Sequence, residues 1–241
     1  MGWFDFLKKP QQTVLLDKNE LHATEDFSSL QQLIERYGGA AIEKQFAIGD
    51  TIADLDWNVD MTVGTATFGS DLTFPIQMLG SVSHQSDTWL WAWANTQAQI
   101  SPNILKQAHL LKAYGMKNNI PELTQTKVFA TNYEGHVLAS IASGMFKSRF
   151  YYAGNYGAGT AFFTIDLMEE DLKKHPEQVL TVFPQLIQTF ELDHRKALSF
   201  YLKDKGFTTN ESKDSITAFT AELTVKANFD EINRMTNLTA S

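Results

Sequence analysis

Asp87-Thr-Trp-Leu-Trp-Ala-Trp-Ala-Asn95 is the stretch on which the reading of the fold turns. In an extended chain successive side chains alternate between faces, so Trp89, Trp91 and Trp93 would share one face and Leu90, Ala92 and Ala94 the other. Both faces are then apolar, which predicts a central strand covered on each side, with the alanines admitting a helix closely. The file of indoles is either the aromatic wall of a ligand pocket or core filling, with the indole N–H groups bonded to carbonyls. Asn95, closing the strand, is either a satisfied turn residue or a polar contact in such a pocket.

Working outward, Gln85-Ser86-Asp87 reads as a hairpin turn, and Phe74, Ile76, Met78, Gly80 and Val82 alternate before it with Pro75 near the strand start. Trp57, Val59, Met61 and Val63 alternate in the same way, with Gly64 as a turn. Helical spacing flanks these strands. Ser28-Ser-Leu-Gln31 reads as a capping box, followed by Leu30, Leu33, Ile34 and Tyr37. Gly38-Gly39 should weaken or kink that helix, and Gly49-Asp50 should stop it. Ser101-Pro102 opens a second helix that Gly115 closes, and Thr131 to Glu134 is a second capping box, with Val137, Leu138, Ile141 and Met145 turned inward.

Further on, Arg149 to Ala153 and Thr160 to Asp166 form a hairpin around Gly154, Gly157 and Gly159. A phosphate-binding loop would need a helix after these glycines, and a strand follows instead. Pro176 begins a helix, and Pro184 to Lys205 reads as the longest one, ended by Gly206. Ser215 to Val225 reads as a last strand, and Asn228 to Glu231 as the cap of a short final helix. Strand blocks and helix blocks segregate, so the expected class is α+β: a mainly antiparallel sheet with helices packed against it. The expectation is one domain over residues 28–241, preceded over residues 1–27 by a short amphipathic helix (Trp3, Phe4, Phe6, Leu7) and a polar linker.

Composition narrows the chemistry. Hydrophobic residues at 43% against 20% charged support a sizeable core. With zero Cys, disulfides, thiolate zinc sites and thiol nucleophiles are excluded. A net charge of −8 repels phosphate backbones, which argues against nucleic-acid binding and suits a basic protein partner. Neither a secretory signal nor a membrane-length apolar run is evident, so a cytoplasmic protein without stable membrane insertion is expected.

His194 lies in the stripe Ile187, Phe190, Ala197, Leu198 and Tyr201, with Glu191 three residues before it. On an unbroken helix the two share a face. Glu-x-x-His is half of a dinuclear carboxylate metal site, but no second copy exists, so a buried His–Glu pair, or a His bonded to another element, is the reading. Asp54, Asp56 and Asp60 form an acidic run; Asp56 and Asp60 would share a face with Asn58 and could chelate a cation, but a solvated strand face is the more usual explanation. No complete catalytic set and no cofactor or metal motif emerges.

Several segments taken together carry a resemblance: Gly80-Ser81 leading into Thr88 to Asn95, Phe150-Tyr-Tyr, Gly159-Thr-Ala-Phe-Phe163, Asp193-His-Arg195 and Phe229 to Thr236. The set resembles a family of uncharacterised bacterial proteins, a domain of unknown function marked by a Trp-rich strand ending in Ala-Asn, from about Ser28 to the C-terminus. The resemblance implies a bacterial cytosolic protein and carries no catalytic residues. The expected function is a non-enzymatic binding protein, in its most concrete form an immunity-type protein that covers a partner toxin. The alternative is a small-ligand-binding domain or hydrolase at the Trp face. Candidate site residues are Trp89, Trp91, Trp93, Asn95, Glu191 and His194.

Overall fold

A helix of 23 residues, α1 (Leu30–Ile52), runs straight through the glycine pair expected to bend it. The computed structural model describes residues 21, 25–167 and 172–241; the helix expected at Trp3–Lys9 and most of the expected linker lie outside them. Ser29 rather than Ser28 caps α1, accepting from the Gln32 N–H at 3.2 Å. Gly38 and Gly39 are points of close approach: a Cβ on Gly38 would stand 2.8 Å from Leu186 Cδ1, and one on Gly39 2.6 Å from Tyr201 Cγ. Tertiary packing outweighs the poor helix propensity of the pair. The helix continues past Gly49 to Ile52.

The larger sheet has seven strands among the described residues, all pairings antiparallel: β1 (Trp57–Asp60), β2 (Thr65–Phe68), β3 (Leu72–Ser83), β4 (Thr88–Trp91), β5 (Lys127–Phe129), β6 (Tyr151–Asn155) and β7 (Gly159–Ile165). The long β3 organises it. Its first residues pair with β2, and its remainder lies between β4 on one edge and β7 on the other, with a bulge between Met78 and Gly80. β7 is buried at every position. The β6–β7 hairpin forms where expected, with Gly157 at φ +90° in its turn.

The expected strand over Thr88 to Asn95 is shorter than its alternation suggests. β4 is interior to the sheet, between β3 and β5, but it ends at Trp91, and Ala92–Ala94 form a 3₁₀ turn. The neighbours bear on the ending: the β5 ladder reaches only to Leu90–Lys127, with one further bond from the Trp91 N–H to the Thr126 carbonyl, and β3 bulges directly beyond its Gly80–Trp91 pair. Trp89 and Trp91 therefore share a face, while Trp93 leaves it, with Lys112 Nζ 3.8 Å from its ring centre.

After a 3₁₀ turn at Pro102–Ile104 comes α2 (Lys106–Asn118), which runs through Gly115 and stops at left-handed Asn119. A short α3 (Pro121–Thr124) precedes β5. Then α4 (Asn132–Met145) follows, with the expected capping box and with Val137, Leu138, Ile141 and Met145 buried. The long helix expected from Pro184 to Lys205 is two helices, α5 (Val179–Thr189), with Pro184 inside it, and α6 (His194–Asp204). Phe190 is extended, and Asp193 caps α6 by accepting from the Lys196 N–H. Glu191 thus lies in a linker, off any helix face.

Residues Ser215 to Val225 form a hairpin rather than one strand, and the final helix is replaced by a turn and a strand. The second sheet comprises β8 (Thr208–Glu211), β9 (Ser215–Phe219), β10 (Thr224–Phe229) and β11 (Met235–Ala240), in the order β11-β10-β9-β8. Asp230 accounts for the missing helix: its Oδ1 accepts from the N–H groups of Ile232 and Arg234, closing a tight turn with Asn233 at φ +63°.

The class is therefore α+β, with six α-helices among the described residues. One apolar core joins α1, α4, α5 and α6 to Trp89, Trp91 and Phe162, and extends to Ile216, Val225 and Phe229 of the second sheet. A second core, around Phe68, Phe150 and Phe163, includes residues of β2, β3 and β7.

A candidate binding groove at the α5–α6 linker

The linker between α5 and α6 is clamped by three other elements. From α4, Tyr133 Oη accepts from the Glu191 N–H at 3.0 Å. From α1, Gln31 Nε2 donates to the Glu191 carbonyl at 3.1 Å, and Glu35 Oε1 accepts from the Asp193 N–H at 3.2 Å. From the β10–β11 turn, Asn233 Nδ2 donates to Asp193 Oδ2 at 3.2 Å, and the Met235 N–H donates to His194 Nδ1 at 3.1 Å. An extended segment has no internal hydrogen-bond ladder, so Tyr133, Gln31 and Glu35 satisfy its backbone while the β10–β11 turn ties down its Asp193 and His194 side chains.

Two adjoining depressions follow this linker and share Tyr133, Glu191 and Leu192. One, of about 620 Å³, adds Ile187, His194, Ile232 and Arg234. The other, of about 480 Å³, adds Leu30, Ile34, Glu134 and Val137. Tyr133 is 43% exposed and Ile232 66%, both large for apolar or aromatic side chains.

The charges along the groove are set locally. Burial pushes the Glu134 carboxyl up, but its bonds from the Thr131 N–H and hydroxyl prevail and hold it below the ordinary carboxylate value. Burial pushes His194 down, and Arg234 adds to this against the opposing pull of Asp193 and Asp230. Because His194 Nδ1 accepts from a backbone N–H, the neutral ring carries its proton on Nε2. The result is an apolar and aromatic strip edged by the carboxylates of Glu134 and Glu191 and the guanidinium of Arg234.

The candidate residues divide in two. Glu191 and His194 line the groove together, although they are not paired across a helix face. Trp89 and Trp91 lie in the core at 0% exposure, their rings packed edge to face. Trp91 Nε1 donates to the Glu122 carbonyl at 2.9 Å, whereas Trp89 Nε1 has no acceptor among the described residues. Trp93 is half-buried, and Asn95 is a turn residue whose Oδ1 accepts from the Ala98 N–H. Tyr133, Ile232 and Arg234 were not singled out by sequence reasoning. Tyr133 sits inside the capping box at Thr131, and the other two sit just past Glu231, in the stretch read as the short final helix.

A second polar cluster is sealed from solvent. Glu43, Tyr201 and Lys205 meet between α1 and α6, where burial drives the Tyr201 hydroxyl well up and pulls the Lys205 ammonium down. Asp60 is occupied as a turn residue, with Oδ1 accepting from the Thr62 and Val63 N–H groups. Among the described residues, no group of three His, Asp or Glu side chains could hold a metal ion, and no helix is long and apolar enough to cross a membrane.

No curated protein and no solved structure matches the chain. One family model does, over residues 31–168, which span the chain from α1 to the end of β7. The walls of the groove on α1 and α4 fall inside that match, as does the Trp-rich stretch; the α5–α6 linker and the β10–β11 turn fall outside it. The chain belongs to DUF6882, a family of unknown function.

Proposed function

We propose that this chain is a non-enzymatic binding protein of the bacterial cytoplasm, of immunity type, that covers a basic protein partner through the groove along the α5–α6 linker. The observation that carries the reading is the linker itself. Five hydrogen bonds from three elements hold it, three at its backbone and two at the side chains of Asp193 and His194, so the surface is preformed, while Tyr133, Glu191 and Ile232 are left exposed beside it. A preorganised strip of this kind binds without a large ordering cost, and an exposed tyrosine is a favoured contact residue. The net charge of −8 adds long-range attraction for a basic partner.

The other reading, a ligand pocket or hydrolase site walled by Trp89, Trp91 and Trp93, needs an open indole face. Two of the three rings are at 0% exposure. The binding reading is tested by co-expressing the full chain with the proteins encoded beside it and measuring complex formation and protection from any toxicity. The expected result is one specific complex whose association slows as salt is raised. If no encoded neighbour is bound or neutralised, the immunity role is lost.

A further inference from the structure

Met235 is the first residue of β11, an edge strand of the second sheet, and its N–H is taken by a side chain, His194 Nδ1 at 3.1 Å. Edge strands commonly carry a device that occupies or blocks their free donors. Here the device is titratable. It also sits in the wall of the groove, one residue beyond the Asp193 carboxylate that holds Asn233 of the same turn.

We propose that His194 is a proton-operated latch on the groove: protonation at Nδ1 removes the acceptor for the Met235 N–H and releases the β10–β11 turn from the α5–α6 linker. This regulation rests on the binding reading of the groove. The chemistry is simple. A neutral imidazole has one acceptor nitrogen, and an imidazolium has none. Once Nδ1 carries a proton, two N–H groups face each other across the former hydrogen bond. Only the Asn233–Asp193 bond then ties the turn to the linker among the contacts described above.

The surrounding charges decide where the latch works. Arg234 and Asp230 face the ring from the β10–β11 turn, Asp193 faces it from the α6 cap, and Glu191 and Tyr133 share the same groove wall from the linker and from α4. Burial and Arg234 favour the neutral ring and outweigh Asp193 and Asp230. The latch is therefore closed at neutral pH and opens on acidification, at a pH lower than an unperturbed histidine would need. The Arg234 guanidinium makes the setting adjustable: a partner carboxylate that engaged Arg234 would raise the histidine's affinity for a proton, and a second cation would lower it.

The test is amide hydrogen exchange and chemical-shift titration of the full chain, read at Met235 against His194. On acidification through the His194 titration, protection of the Met235 amide, corrected for intrinsic exchange, is expected to fall about tenfold, the equivalent of one lost hydrogen bond. His194→Gln supplies a carbonyl acceptor that does not titrate, so protection there should stay high and independent of pH. His194→Ala should show low protection at every pH. The latch is overturned if Met235 protection ignores the titration, or if His194→Gln retains the same pH response. Partner binding measured at neutral pH in His194→Gln separates the two readings. A partner that fails to bind even wild type removes the binding role and leaves the latch standing, whereas binding with pH-independent Met235 protection removes the latch alone.

Discussion

Lys205 Nζ lies 2.6 Å from Glu43 Oε1 and 2.8 Å from Oε2, with both side chains closed off from solvent and Tyr201 donating its hydroxyl to the same carboxylate. Lys205 also donates to the Leu172 carbonyl at 3.0 Å. A buried ion pair adds little net stability, yet removing one partner strands the other charge in a dry interior. Lys205→Met is expected to cost about 3–5 kcal/mol in urea unfolding. Adding Glu43→Gln, which keeps an acceptor for Tyr201, should recover more than half of that loss. A single mutant within experimental error of wild type would show that the pair does not anchor α1.

Two glycines of α1, Gly39 near its middle and Gly49 in its last turn, should respond in opposite ways to the same substitution. Gly39→Ala drives a methyl into the Tyr201 ring and should destabilise by about 1–3 kcal/mol. Among the described residues nothing lies within 4 Å of where a Gly49 Cβ would be, so Gly49→Ala should stabilise by about 0.4–1 kcal/mol through the unfolded chain. Thermal unfolding of the two variants checks both signs. Equal effects would mean that the glycine contact with Tyr201 is not tight in solution.

His136 gives stability its own pH dependence. Its Nδ1 lies 3.0 Å from Tyr151 Oη, its ring packs edge to face on Phe162, and burial pushes its pKa down. On acidification the unfolded chain takes up a proton at the ordinary value of about 6.5, before the folded chain does. The contribution is therefore complete above that value and is lost as pH falls through the lower, folded one. Urea midpoints measured across this interval should drop for wild type and drop less for His136→Gln. A steeper drop in the variant would reverse the assigned direction.

Ile232 separates binding from folding. It is 66% exposed at the tip of the β10–β11 turn, so Ile232→Ala should change stability by less than about 0.5 kcal/mol. As a contact residue of the groove, it should weaken the partner complex about tenfold or more. Unchanged affinity, measured by calorimetry on the co-purified partner, would move the contact surface elsewhere.

Much of the architecture was legible in residue spacing. The capping box at Thr131, the inward stripe of α4, the long β3 and the β6–β7 hairpin all follow local signals that the structure repeats. The readings that failed did so for different reasons, two of them tertiary and one local. Alternation continues to Ala94, but β4 ends at Trp91, where the β5 ladder has run out and β3 bulges. The apolar stripe continues past Phe190, but the linker is pulled straight by Tyr133, Gln31 and Glu35 from distant parts of the chain. Asn228 to Glu231 looks like a cap, yet Asp230 spends its carboxylate on its own turn.

The sequence by itself determined the class of the fold, because hydrophobic period and cap chemistry are local and act within a few residues; it left the indoles between pocket wall and core, and the structure puts Trp89 and Trp91 in the core. Only the tertiary structure decided that Glu191 and His194 meet Tyr133 and Ile232 in one groove. Those side chains converge through hydrogen bonds that join α1, α4, the α5–α6 linker and the second sheet, and no periodicity along the chain encodes a contact made across so many residues.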